Sequence, residues 1–327
     1  MKVLRKTLVS VLFFMCICIG TSAKAKEKPT SGTDVYGNTW TYDTTTKTMA
    51  FLGNGKVGAD YIPAGHGYSP EWHCWNKEVE HLIIGDGITA IGRSSFCDFW
   101  KLQSVKLPQS LELIEDRAFS TCMELRGLEF PDSMVEIGDY AFWGCEKLQK
   151  ITLPSTLTKI GKSAFEDTGI KELIIPNSVK SIGNDAFLGC TKLEKITLPS
   201  GLKKIGDGTF YNCKRLTKID IPESVTQIGV SAFAFSGIKK LIIPKNVEKF
   251  YRTKGELASK NYDGLFVKCK SLRTVTIQSK KLKTLCKYSL SKTSKKTTIR
   301  VPKSKLKTYK KMFRKAGLSK KVKVRSI

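Results

Sequence analysis

The chain runs to 327 residues and carries 56 Lys and Arg against 29 Asp and Glu, a formal charge of +27. A field of that sign speaks about partners, favouring anionic ones, and says little about fold. Only three histidines occur, all between His66 and His81. A Ser-His-Asp or Cys-His arrangement would need its base from that one stretch, so the chain reads as a non-enzyme with no cofactor and no small-molecule substrate.

Residues 1–25 read as a secretory signal peptide. Lys2, Arg5 and Lys6 give a positive start, and an apolar run follows from Leu8 to Ile19. Ala23-Lys24-Ala25 then supplies the small residues of a cleavage site. The run falls short of the roughly 20 residues that span a bilayer. The expected product is a secreted, extracellular protein associated with the cell surface. It has no membrane span after cleavage and no motif for covalent wall attachment.

The next segment, 26–78, holds His66, His73 and Cys74, with His81 just beyond. Their spacing is irregular, and His73 and Cys74 are adjacent, unlike the paired ligands of a zinc site. A loop of an N-terminal cap is the expected reading, with metal-dependent activity there a remote alternative.

From residue 79 the chain repeats itself. "LQKITLPSTLTKIGKSAF" begins at Leu148, "IKELIIPNSVKSIGNDAF" at Ile170, "LEKITLPSGLKKIGDGTF" at Leu193 and "LTKIDIPESVTQIGVSAF" at Leu216. The apolar residue before the proline, or its equivalent, falls at 84, 107, 130, 153, 175, 198, 221 and 243, a spacing of 22 or 23. A period in the low twenties with L-x-x-I-x-L matches leucine-rich repeats. The expected fold over 79–301 is a leucine-rich repeat solenoid, α/β or mostly β, with coils of about 23 residues and a parallel β-sheet face.

Each repeat position has a physical reason. Alternation makes L-x-x-I-x-L a short strand with Leu148, Ile151 and Leu153 inward. Pro154 cannot donate to a ladder and ends the pairing. Leu157 and Ile160 re-enter the core, and Gly161 is expected to permit a turn that would strain a residue with a Cβ. Phe96, Phe119, Phe142, Phe165, Phe187, Phe210 and Phe233 are expected to form a column inside the stack.

Within one coil "KIGKSAF" contains Gly-Lys-Ser, the end of a phosphate-binding loop. No glycine lies in the five residues before Gly161, and the sister coils read "IGDYAF", "IGNDAF" and "IGVSAF". Lys162 and Ser163 therefore fill variable slots of a structural corner, not a phosphate loop.

Eight cysteines follow the leader. Cys122, Cys145, Cys190, Cys213 and Cys269 each lie three residues after the repeat phenylalanine or its equivalent. In the 22-residue coils "DTG" or "FSG" takes their place. Stacked equivalents point in parallel and suit a disulfide poorly, so buried free thiols are expected. A true disulfide would more readily join Cys74 and Cys97. An insertion, 251–263, bulges from one coil and reads as an ordinary tolerated loop.

The outward strand positions line the surface that solenoids commonly use for binding. They hold no aromatic, but Lys150, Lys195, Lys218 and Lys240 form a basic row interrupted by Glu172. That row is a candidate ligand surface, with solvated lysines as the plainer reading.

Charge then changes abruptly. Residues 268–327 hold 22 Lys or Arg and no acid, whereas 26–267 hold 30 basic and 29 acidic residues. Segment 302–327 reads as a capping helix and tail, opened by Pro302 with Ser304 as N-cap and closed by Gly317. Leu306, Tyr309, Phe313 and Ala316 share its apolar face. Its cations, Lys303, Lys305, Lys307, Lys310, Lys311, Arg314, Lys315, Lys320, Lys321, Lys323 and Arg325, are the candidate polyanion contacts. Wall phosphate polymers, anionic lipid headgroups and host sulfated glycans all fit this charge, while nucleic acid does not suit an exported chain.

"LPSTLTKIGKSAF" and "IPNSVKSIGNDAFLGC" resemble the BspA-like subfamily of bacterial leucine-rich repeats over about 79–277. The stretch "NTWTYDTTTKTMAFLGNGKVG" is similar to the β-rich segment ahead of such arrays, and "VPKSKLKTYKKMFRKAGL" to their helical ending. Glu115 departs from the family glycine, and Ser95 and Thr209 from its alanine. The resemblance implies an exported or surface-displayed binding protein, engaged in adhesion to host proteins or cells, with no catalytic residue. The alternative is a wall-associated structural protein without a host ligand.

Overall fold

A computed structural model describes residues 28–58, 70–251, 264–285 and 288–327. The described residues wind into a mostly β solenoid, with one α-helix among them, Leu306–Lys315. The signal-peptide segment, His66, Cys286 and the insertion beyond Tyr251 lie outside the described residues.

Two parallel ladders form the walls of the coil. In the first, Ser31–Thr33, Thr39–Asp43 and Thr48–Leu52 form an antiparallel meander, and Thr48–Leu52 pairs in parallel with the first repeat strand, His81–Ile84. The N-terminal segment thus supplies the opening row of the sheet. Later rows are in register, Lys150 opposite Gly127 and Glu172 opposite Lys195. The second ladder stacks strands of two to four residues, such as Glu136–Ile137 on Lys159–Ile160. Between the walls lies one continuous apolar core.

The phenylalanine column forms as expected. Successive rings from Phe96 to Phe233 stack with centroids 5.5–5.9 Å apart, and all seven are fully buried. After each proline a tight turn reaches the other wall. The amides of Leu157, Leu202 and Val225 donate to the carbonyls of Pro154, Pro199 and Pro222 at 3.1 Å.

The repeat glycine acts through proximity. Gly161 has an ordinary negative-φ backbone, and the left-handed positions of that corner are Ser163 (φ 50°) and Asp167 (φ 55°). A Cβ on Gly161 would instead lie 2.4 Å from the carbonyl carbon of Gly138 in the preceding coil, and one on Gly183 2.4 Å from the amide nitrogen of Lys162. Glycine is needed because neighbouring coils touch backbone to backbone, which corrects the expectation of a turn requirement. Where Glu115 takes this position, its carboxylate accepts the Arg93 amide at 2.9 Å and pairs with Lys56 at 2.9 Å.

The residue after the glycine carries a second ladder. Asp139 donates its amide to the Asp116 carboxylate at 2.9 Å, and Lys162 donates to Asp139 at 2.7 Å. Asp207 and Val230 repeat the contact on Asn184 and Asp207 at 3.1 and 2.9 Å. In the Gly-Lys-Ser corner, the amides of Gly161, Lys162 and Ser163 donate to Ile137, Asp139 and Asn184. Those donors are engaged between coils and present no cradle to a phosphate.

Candidate functional site

Three places assemble chemistry-bearing side chains. At the N-terminal end His73 is packed edge-on against Phe99, centroids 5.4 Å apart, and its Nε2 lies 3.2 Å from the Ser95 carbonyl oxygen. Burial pushes its pKa down, which favours a neutral ring. His81 Nδ1 meets Ser104 Oγ at 2.8 Å. Among the described residues no three His, Cys, Asp or Glu side chains converge to hold a metal ion. Cys74 is exposed and Cys97 buried, and both are free thiols.

The cysteine column is the second place. Cys122, Cys145, Cys190, Cys213 and Cys269 are buried free thiols. Each Sγ donates to the carbonyl of the preceding coil's phenylalanine, as from Cys122 to Phe96 at 3.2 Å and from Cys190 to Phe165 at 3.1 Å. In the short coil Thr168 takes the position, but its hydroxyl donates within its own coil, to the Phe165 carbonyl at 2.9 Å. The column is legible in the sequence, whereas the thiol bond between coils is not, because its acceptor lies in the preceding coil. Desolvation raises the Cys190 thiol to about 12 and Cys269 to about 11. Such thiols stay protonated and are not nucleophiles at neutral pH.

The third place is the sheet face with its basic end. Lys150, Lys195 and Lys240 open strands of the first wall, Lys218 lies in a coil with no strand at that position, and all four are exposed. Glu172 stands opposite Lys195, and Asp220 lies 3.1 Å from Lys218, so acids partly neutralise the row. Lys150 borders a shallow groove of about 750 Å³ with Arg126, Lys147, Lys171 and Glu172 around Ile151. Gly127 opposite Lys150 leaves that part of the face low.

At the C-terminal end the helix Leu306–Lys315 lays Tyr309, Phe313 and the following Ala316 onto the core. The Tyr309 hydroxyl donates to the Ser279 carbonyl and accepts the Leu282 amide, both at 3.1 Å. Ser304 is not its N-cap: it sits inside a 3-10 turn, Lys303–Lys305, and no side chain caps the helix. The chain enters through Pro302 already turned, so the 3-10 turn replaces the expected cap. Gly317 does close the helix, at φ 90°.

Beyond the helix the chain forms a strand, Lys323–Ser326, that pairs in parallel with Thr298–Val301. The sequence reads here as tail, and the alternation K-V-K-V-R is the one signal of a strand. The strand sets Arg325 opposite Arg300 and Lys323 opposite Thr298, which continues the row that begins at Lys240. Thr274 and Thr298 stand between Lys240 and Lys323, so the basic row and the basic end share a sheet face but are separate clusters. Lys303, Lys307, Lys310, Lys311, Lys315, Lys320, Lys321, Lys323 and Arg325 are exposed, and Lys305 is half-buried. Arg314 is different: its guanidinium donates to the carbonyls of Leu318, Ser319 and Val322 and locks the last turn.

Among the described residues no helix is long and apolar enough to cross a membrane. No curated protein matches this chain. The chain is similar in fold to a leucine-rich repeat protein from Bacteroides ovatus, at 22% identity and TM-score 0.52, over 88% of this chain and 77% of that one. A leucine-rich repeat protein from Eubacterium ventriosum gives 22% and 0.54, over 81% and 76%. A family model described as the BspA type leucine rich repeat region matches residues 72–192, 160–254 and 258–326. Repeat, glycine contact and phenylalanine column agree with that match, and the chain belongs to the BspA-type leucine-rich repeat family.

Proposed function

We propose that this protein is an exported, non-catalytic binding module, held on the anionic polymers of a bacterial cell wall by its cationic C-terminal end. From there it presents its solenoid to a host extracellular protein or glycan. The observation that carries the reading is the pairing of Arg325 with Arg300 in a segment without a single acid. Like charges directly opposite on neighbouring strands are destabilising, and solubility needs far less charge than this. An anion lying across both guanidiniums turns the cost into attraction. Phosphate suits them because the guanidinium fork meets its oxygens two at a time.

Binding of the purified protein to isolated cell wall and to immobilised host matrix proteins tests this. Capture by the wall together with at least one matrix protein is the expected outcome. Capture by the wall alone leaves a wall-associated structural protein, and failure to bind the wall defeats the reading.

A further inference from the structure

The near-neutral remainder of the chain is not uniform along the solenoid. Residues 28–150 hold 11 basic and 17 acidic residues, residues 151–267 hold 18 and 11, and residues 268–327 hold 22 and none. Net charge therefore climbs from −6 through +7 to +22 along one axis. At about 4.8 Å per row, the strand rows from Thr48–Leu52 to Lys323–Ser326 extend over roughly 50 Å. That is several times the Debye length of about 8 Å at physiological salt, so each end meets a charged surface independently of the other.

The far end is also shaped for such a surface. Tyr309 and Phe313 face the core, so the opposite side of the helix, with Lys307, Lys310, Lys311 and Lys315, faces outward and is exposed. These spacings of three and four residues put the four ammonium groups on one helical face. Lys323 and Arg325 add exposed cations on the terminal strand.

We propose that the protein stands end-on at a layer of anionic phosphate polymer. The lysine face of the helix contacts the layer, and the acidic first third of the solenoid is repelled and projects away. This inference rests on the wall-binding reading above. It adds which surface touches the layer and which part stays free for a partner: the N-terminal rows and the groove beside Gly127.

The probe is long-chain inorganic polyphosphate grafted on a sensor, with protein from Lys26 onward, which contains every described residue. In this protein Cys286, outside the described residues, is replaced by Ser, and among the described cysteines Cys74 is the exposed one, available for labelling. Changing Lys307, Lys310, Lys311 and Lys315 together to Glu is expected to weaken binding on the order of a hundredfold, from the lost phosphate contacts. The same change at Lys150, Lys195, Lys218 and Lys240 is expected to cost less than about threefold. An unchanged unfolding midpoint in both variants confirms that the folds are intact. In the bound state, Cys74 should react with a bulky, uncharged maleimide added in solution at the rate of the free protein. Equal losses in the two variants, or protection of Cys74, would overturn the end-on geometry while leaving wall binding standing. An unmodified protein that does not bind polyphosphate defeats the underlying reading as well.

Discussion

The central coils and the last three rows share one architecture but use charge in opposite ways. In the central coils, bases reach acids one coil away, as in Lys147 with Glu124 at 2.6 Å, Arg93 with Asp116 at 3.0 Å and Arg215 with Glu194 at 2.9 Å. Amides, thiols and glycines there all serve the contact between neighbours. Beyond Cys269 a base can find a side-chain carboxylate only by reaching back, as Lys283 does to Glu248 at 3.6 Å. The comparison separates residues that stack the solenoid from residues that the stack does not use.

Alkali gives the largest expected effect on the stacking half, because the column thiols add. Burial holds Cys190 protonated to about 12, whereas a thiol in the unfolded chain ionises near 8.5. Above that point the unfolded state binds fewer protons, so stability is full below about pH 8.5 and falls as pH rises toward 12. Each such thiol costs about 2 kcal/mol by pH 10, at about 1.4 kcal/mol per unit. Denaturant melts should fall steeply between pH 8.5 and 10, less so in Cys190→Ala. A flat profile would break this account of the column.

Phe165→Ala should come next, at about 3–5 kcal/mol, since it opens a cavity between two stacked rings. Gly161→Ala should cost about 1–3 kcal/mol by forcing two coils apart. Ser163→Gly should come close to neutral, because the strained dihedral is at 163. If the glycine were needed for its dihedral, Gly161 would have a positive φ and Gly161→Ala would not depend on Gly138. At the small end, Lys159→Ala should change stability by about 0.5 kcal/mol or less, although Lys159 pairs with Glu136 in the preceding coil, because Lys159 is exposed and Glu136 only half-buried. Chemical denaturation read by near-ultraviolet dichroism measures all four.

Much of the stack was legible because its signals are local and repeated. Period, inward aliphatics and the phenylalanine column follow from one consensus. The roles of Gly161 and Cys122 were not legible, because each depends on an atom in the preceding coil, Gly138 and Phe96, that no single repeat contains. The candidate surface was legible as charge but not as shape. Lys323 and Arg325 looked like tail, since a four-residue strand at the end of a chain is recognisable only once Thr298–Val301 offers it an edge. Ser304 failed as a cap because Pro302 starts a 3-10 turn before the helix begins. Arg314 counted as a free cation until its carbonyl partners were in place.

The claim that the basic end retains the protein by charge is tested most directly by washing cell walls that carry it with rising salt. At about 1 M, where the Debye length shrinks to about 3 Å, the account predicts that the protein leaves the wall fraction. Retention at that salt would contradict it.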